Sequence, residues 1–125
     1  MKINNIDHIV IPVSDIKESL NFYTEVLGME ADTSNQRFAV KFGNQKINLH
    51  VGKAQFLPAA KYPAFGSADI CLLAEGNIED IKAEIIAKGI EIEVGIVQRQ
   101  GAQGAIQSIY FRDPDGNLIE VSTLI

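Results

Sequence analysis

The residues best equipped for chemistry in this chain are polar side chains set inside apolar, β-branched stretches. His8 interrupts Ile6-Asp7-His8-Ile9-Val10, Asp69 interrupts Ala68-Asp69-Ile70-Cys71, and Glu120 interrupts Leu118-Ile119-Glu120-Val121. Side chains alternate across a strand, so each of the three shares a face with its i±2 neighbours. Where such faces line a cleft, an unpartnered charge is very costly. A divalent metal ion satisfies an imidazole and carboxylates together. His8, Asp69 and Glu120 are therefore candidate metal ligands. His50 is a fourth: it lies two residues beyond Asn48, on the same face and one pleat further along, and is the stronger ligand type. Asn48 is then a hydrogen bonder beside the ligands or the substrate.

Plainer alternatives stand beside these. His8 and Glu120 make a hydrogen-bonded polar pair, Asp69 partners an Arg or Lys at a cleft rim, and His50 faces solvent at a strand end. Arg37, Lys46 and Arg112 are candidates to orient an anionic substrate, against the alternative that they are only solvated. Tyr110, with Phe111, is a candidate pocket wall. Cys71 sits in Ile70-Cys71-Leu72-Leu73 and is expected to be a buried structural thiol, because apolar flanks raise a thiol's pKa and oppose a nucleophilic role.

These side chains need strands in a fixed order, and the sequence supplies one pattern twice. Residues 6–13 read as a strand, with Pro12 near its end. Ser14-Asp15 starts a helix, with Glu18 in the capping position. Ile16, Leu20, Tyr23 and Leu27 fall on one face, which predicts an amphipathic helix over 15–27, stopped by Gly28. Strands follow at 30–33, 37–42 and 46–50, the last two joined by a turn at Gly43-Asn44. The second half repeats the order. A strand at 67–73 leads to a helix capped by Asn77, with Ile78, Ile81 and Ile85 on one face and Gly89 at its end. Strands are predicted at 92–98, 106–112 and 118–123, the last reached through the turn Asp113-Pro114-Asp115-Gly116-Asn117.

A shift of 61 carries Gly28 onto Gly89, His8 onto Asp69 and Glu30 onto Glu91, and a shift of 72 carries Ile47-Asn48-Leu49 onto Ile119-Glu120-Val121. The prediction is one α+β domain over 1–125, built of two βαβββ modules in tandem, 1–51 and 67–125, joined by a linker at 52–66. Each module is too small to bury its own sheet face, so the sheets are expected to pair across a cleft. A pseudo-twofold axis would then set His8, Asn48, Asp69 and Glu120 around one site.

Composition narrows the function classes. Hydrophobic residues make up 46 % and charged residues 22 %, as in an ordinary soluble globular protein. No apolar run approaches the roughly 18 residues that span a bilayer, so no membrane association is expected. The N-terminus is a poor signal peptide, which makes a cytoplasmic location the expectation. A net charge of −5 without clustered Lys or Arg argues against nucleic acid as a partner.

The opening Asp7-His8-Ile9-Val10-Ile11, followed by Asp15 and Tyr23-Thr24-Glu25-Val26-Leu27-Gly28-Met29, resembles the start of vicinal oxygen chelate proteins. This superfamily includes glyoxalases, bleomycin resistance proteins and extradiol dioxygenases. The closing Tyr110-Phe111-Arg112-Asp113-Pro114-Asp115-Gly116-Asn117-Leu118-Ile119-Glu120 is similar to the superfamily's most specific motif. The stretch Gly43-Asn44-Gln45-Lys46-Ile47-Asn48-Leu49-His50 resembles a glyoxalase domain-containing or virulence-type subgroup. The resemblance implies a divalent metal ion (Zn, Ni, Mn or Fe) held by His8 and Glu120. The family's other two ligand positions hold Asn48 and Asp69 here, which departs from the usual Glu or Gln and His.

It also implies a small-molecule substrate, a homodimer, and three readings of function. The first is a glyoxalase-like lyase or isomerase, in which the metal is a Lewis acid for vicinal oxygens and Glu120 or Asp69 moves the proton. The second is an Fe(II) ring-cleaving dioxygenase using His8, His50 and Glu120. The third is a metal-free protein that sequesters an antibiotic or other planar ligand, for which the absence of Trp makes a stacking cleft harder to build.

Overall fold

A computed structural model describes residues 1–125. The chain divides into two compact units, Met1–Phe65 and Gly66–Ile125. Each is a βαβββ module, so the chain is an α+β protein with two modules in tandem.

Unit 1 runs β1 (His8–Val13), α1 (Ile16–Asn21), β2 (Glu30–Asp32), β3 (Phe38–Phe42) and β4 (Gln45–Val51). The sheet order is β1-β4-β3-β2, with β1 parallel to β4 and the other pairs antiparallel. The long crossover through α1 is what permits the parallel pair, whereas Gly43-Asn44 turns β3 directly into β4. Alternation puts Ile11, Val13, Ile47 and Leu49 on the buried face.

The single helix expected over 15–27 is not uniform. Asp15 caps α1 as the sequence indicates, its side chain accepting from Glu18 N at 3.0 Å. After Asn21 the helix widens into a π-helical segment, Phe22–Val26. Thr24 Oγ1 donates back to Leu20 O at 2.7 Å, and such back-bonding loosens the local ladder. The wider turn buries Phe22, Tyr23 and Val26 together, with Phe22 and Tyr23 edge to face at 5.1 Å. Leu20 and Leu27, expected on the inner stripe, stay half-buried.

Unit 2 runs β5 (Asp69–Leu73), α2 (Ile78–Ala87), β6 (Val94–Gly101), β7 (Gly104–Arg112) and β8 (Leu118–Leu124). Its order, β5-β8-β7-β6, is that of unit 1, again with only the first pair parallel. The register repeats too: His8 pairs with Lys46 and Asp69 with Leu118, which are the shifts of 61 and 72 found in the sequence. Asn77 caps α2 by accepting from Glu79 N and Asp80 N, and Ile78 and Ile85 are buried. β6 begins at Val94 and runs on to Gly101, later than expected, because a tight turn at Ala102-Gln103 lets Gly101 pair with Gly104.

The Asp113–Asn117 turn is a buried hydrogen-bond knot. Asp113 Oδ1 accepts from Asp115 N (3.0 Å) and Asn117 N (2.8 Å), and Oδ2 accepts from Asn117 Nδ2 (2.7 Å). Asn117 Oδ1 in turn accepts from Ala68 N at 2.9 Å, which ties the start of β5 to the start of β8. Gly66 lies against this turn, where an added Cβ would collide with the Asp115 carbonyl oxygen. The motif thus sets Glu120 beside β5.

Candidate functional site

Each unit has one buried and one open sheet face, and the expected site residues lie on the open ones. In unit 1 these are His8, Val10 and Pro12 on β1 with Lys46, Asn48 and His50 on β4. The His8 side chain is 45 % exposed, and its Nδ1 lies 2.8 Å from Asp7 Oδ2. A carboxylate only accepts, so Nδ1 is the donor of this pair and Nε2 is the ring nitrogen left to other partners. The bond from His8 holds the Asp7 carboxyl below its ordinary range. Asp7, which the sequence did not single out, is thus the hydrogen-bond partner of the candidate residue His8.

The register separates the two imidazoles. Val10 pairs with Asn48 and Pro12 with His50, so Asn48 is one pleat from His8 and His50 two. Four residues of strand amount to roughly 13 Å. His50 belongs instead to a concavity of about 240 Å³ with Arg37, Lys46, Asn48 and Asp32. There the Arg37 guanidinium carbon lies 3.9 Å from the Phe56 ring centroid, and the His50 ring meets Phe56 edge-on at 5.1 Å. Burial, and secondarily the charge of Arg37, pushes the His50 pKa down, which keeps its ring neutral.

In unit 2 the open face carries Asp69, Cys71 and Leu73 on β5, Glu120 and Ser122 on β8, and Ser108 and Tyr110 on β7. Glu120 Oε2 accepts from Ser108 Oγ at 2.6 Å and from Ser122 Oγ at 3.2 Å, and the two hydroxyls are 2.7 Å apart. This pair of serines fixes the carboxylate rotamer. Neither was singled out from sequence, yet both follow from period-two alternation, Ser122 from Glu120 and Ser108 from Tyr110.

Cys71 is a correction. It is exposed, because the same alternation that puts Asp69 and Leu73 on the open face puts Cys71 between them. Its pKa is raised as expected, by partial burial first and the nearby carboxylates after, with Ser122 Oγ at 3.3 Å from the sulfur.

The arginines of unit 2 have separate fates. Arg112, expected to orient an anion, donates from Nε and Nη2 to the two carboxylate oxygens of Glu93 at 3.1 and 2.9 Å. Arg99, which the sequence did not single out, donates from Nε to Tyr110 Oη at 3.1 Å. Arg99, Tyr110, Glu120 and Cys71 line a concavity of about 410 Å³ on this open face.

No three His, Cys, Asp or Glu side chains gather within the chain as a group able to hold a metal ion. Taken separately, the His8 imidazole of unit 1 and the Asp69 and Glu120 carboxylates of unit 2 are donor types that suit a divalent ion. No helix is long and apolar enough to cross a membrane.

Residues 5–121 match the family model of the glyoxalase/bleomycin resistance protein/dioxygenase superfamily. The chain is 52 % identical over 126 residues to virulence protein STM3117 of Salmonella typhimurium, covering all of this chain and 88 % of that protein. The crystal structure of that protein superposes with a TM-score of 0.97 over the full length of both chains. Identity is 43 % over 124 residues to glyoxalase domain-containing protein RDO1 of Mycosarcoma maydis, covering 98 % of this chain and 70 % of that one. It is 27 % over 127 residues to the metallothiol transferase FosB of Shouchella clausii, covering 97 % and 81 %.

Proposed function

Because the chain belongs to the glyoxalase/bleomycin resistance protein/dioxygenase superfamily, we propose that it is a divalent-metal-dependent, glyoxalase-like lyase or isomerase acting on a small substrate with vicinal oxygens. The observation that carries this reading is the repeated register. His8 and Asp69 occupy one position of the module on its first strand, Asn48 and Glu120 another on its last, all on open faces.

In this reading His8, Asp69 and Glu120 would hold the metal, which would supply a Lewis acid for the substrate oxygens. Asp7 aims the imidazole. Ser108 and Ser122 aim Glu120, whose carboxylate takes the proton from one substrate carbon and delivers it to the neighbouring one. Asn48 hydrogen-bonds the substrate where a fourth ligand would otherwise stand. The assembled site belongs to a homodimer. Val10 is 47 % exposed on the open face of unit 1, and an apolar residue so placed favours a covering partner.

The relation to a metallothiol transferase supports a thiol adduct as the first substrate to try. Protein loaded with Ni, Zn or Mn is expected to isomerise the adduct of a 2-oxoaldehyde with a thiol. Glu120→Gln is expected to slow turnover on the order of 100-fold with the fold retained. Wild-type turnover by that variant overturns the assignment.

The separation of His8 from His50 weighs against the Fe(II) ring-cleaving reading, which needs both at one ion. Oxygen uptake with catechols after anaerobic Fe(II) loading decides that point. Asn48 and Asp69, at positions where the family resemblance implies stronger ligands, favour the metal-free binding reading as the second choice. Elemental analysis of the purified protein separates it from the first.

A further inference from the structure

We propose that the open face of unit 2 carries a binding site for a small organic monocarboxylate, with Arg99 receiving the carboxylate. Arg99 lines the concavity of about 410 Å³ together with Tyr110, Glu120, Leu73, Ile106 and Leu124. Its Nε is held by Tyr110 Oη at 3.1 Å and its Nη1 donates to Gln98 O at 3.2 Å, and the guanidinium lies 5.6 Å from the Tyr110 ring centroid. No carboxylate pairs with it, unlike Arg112, which is paired with Glu93. The contrast with Arg112 is direct: one arginine of the unit is closed by Glu93, while the other is oriented by neutral groups and keeps Nη2 uncommitted.

The surroundings fix the ligand class. A guanidinium edge matches the two oxygens of a carboxylate. No second cation lines the concavity, and Glu120 in its lining repels further negative charge, which disfavours a dianionic phosphate. Leu73, Ile106 and Leu124 offer an apolar wall to the ligand body, and the volume suits a small molecule. Tyr110 stands cross-strand from Glu120, so a ligand seated on Arg99 extends toward that carboxylate. The site deepens the proposed function by naming a substrate class with a carboxylate remote from the reacting carbon. It rests on that reading only in assigning the Glu120 end to the chemistry.

The test reads binding without metal or turnover, so the two proposals fail separately. The full chain, treated with chelator, is titrated with hexanoate, hexanamide and inorganic phosphate by calorimetry. The Arg99 Nε–H resonance is followed by NMR. Hexanoate is expected to bind and to shift that resonance, with hexanamide at least about tenfold weaker. Phosphate is expected not to compete. Arg99→Gln should bring the two six-carbon ligands to equal affinity, Arg99→Lys should keep part of the preference, and Arg112→Gln should keep all of it. Equal binding of hexanoate and hexanamide by the wild type overturns the proposal. So does a preference that survives Arg99→Gln, or displacement of hexanoate by phosphate. Should Arg99→Gln lose its circular dichroism signal, the wild-type preference and the Arg99 resonance decide alone. Retained hexanoate preference in a protein inert toward thiol adducts would sink the lyase reading and leave this site standing.

Discussion

On the last strand of unit 1, two residues beyond Asn48, stands His50, and Arg37, one residue before β3, extends the register opposite it. At the matching positions of unit 2 stand Ser122 and Ser108. The first pair is an imidazole beside a guanidinium, the second two hydroxyls that hold a carboxylate. The neighbouring positions differ in the same sense, His8 against Asp69, Lys46 against Leu118 and Asn48 against Glu120. Seven basic and six acidic residues leave unit 1 at +1, whereas four basic and ten acidic leave unit 2 at −6, so the negative charge of the chain belongs to unit 2. Buried faces have kept one topology, and open faces have diverged into a basic, imidazole-bearing one and an acidic one.

The turns before the last strands differ most in energetic weight. Asp113 anchors three donors in a buried knot, whereas Gly43-Asn44 is a two-residue reversal. Asp113→Ala strands those donors and is expected to cost about 3 kcal/mol in chemical denaturation, against less than about 1 kcal/mol for Asn44→Ala. Equal costs would remove the distinction. The hydroxyl pair comes next. Ser108→Ala with Ser122→Ala should weaken divalent-metal affinity about tenfold by freeing the Glu120 rotamer, as loss of outer-shell partners commonly does. Unchanged affinity would mean that the serines serve only packing.

The helices offer a smaller contrast. Ser19 is fully buried on α1 with no partner for Oγ, whereas its counterpart Asp80 on α2 is exposed. Ser19→Ala is expected to stabilise the protein by about 1 kcal/mol, read as a raised thermal midpoint. The smallest effect is a titration. His50 has a lowered folded pKa, so its neutral form favours the fold. That contribution is complete above the ordinary imidazole value and is lost as pH falls through it toward the folded value. NMR should place the His50 midpoint below the ordinary value, and Arg37→Gln should raise it only part of the way, because burial is the larger cause. A full return would make Arg37 the main cause.

Much of this frame was legible in the sequence because alternation, caps and the internal shift are local and repeated. The equivalences read from the shifts of 61 and 72 recur as one strand register in both units, and Asp15, Asn77 and Gly89 marked helix ends where the structure has them. The π-helical segment was not legible, since it depends on how Phe22, Tyr23 and Val26 pack. The exposure of Cys71 was missed because apolar neighbours in sequence were read as apolar surroundings in space. Arg99 and Arg112 look alike in sequence; only the placement of Glu93 and Tyr110 tells the closed guanidinium from the open one.

The proposed function requires that both His8 and Glu120 serve a divalent ion. Titrating Co(II) by calorimetry into wild type, His8→Ala, Glu120→Gln and His50→Ala tests it most directly. Tight binding is expected in wild type and His50→Ala, with losses on the order of 100-fold in each of the other two. Wild-type affinity in both His8→Ala and Glu120→Gln, or a loss confined to His50→Ala, would contradict it.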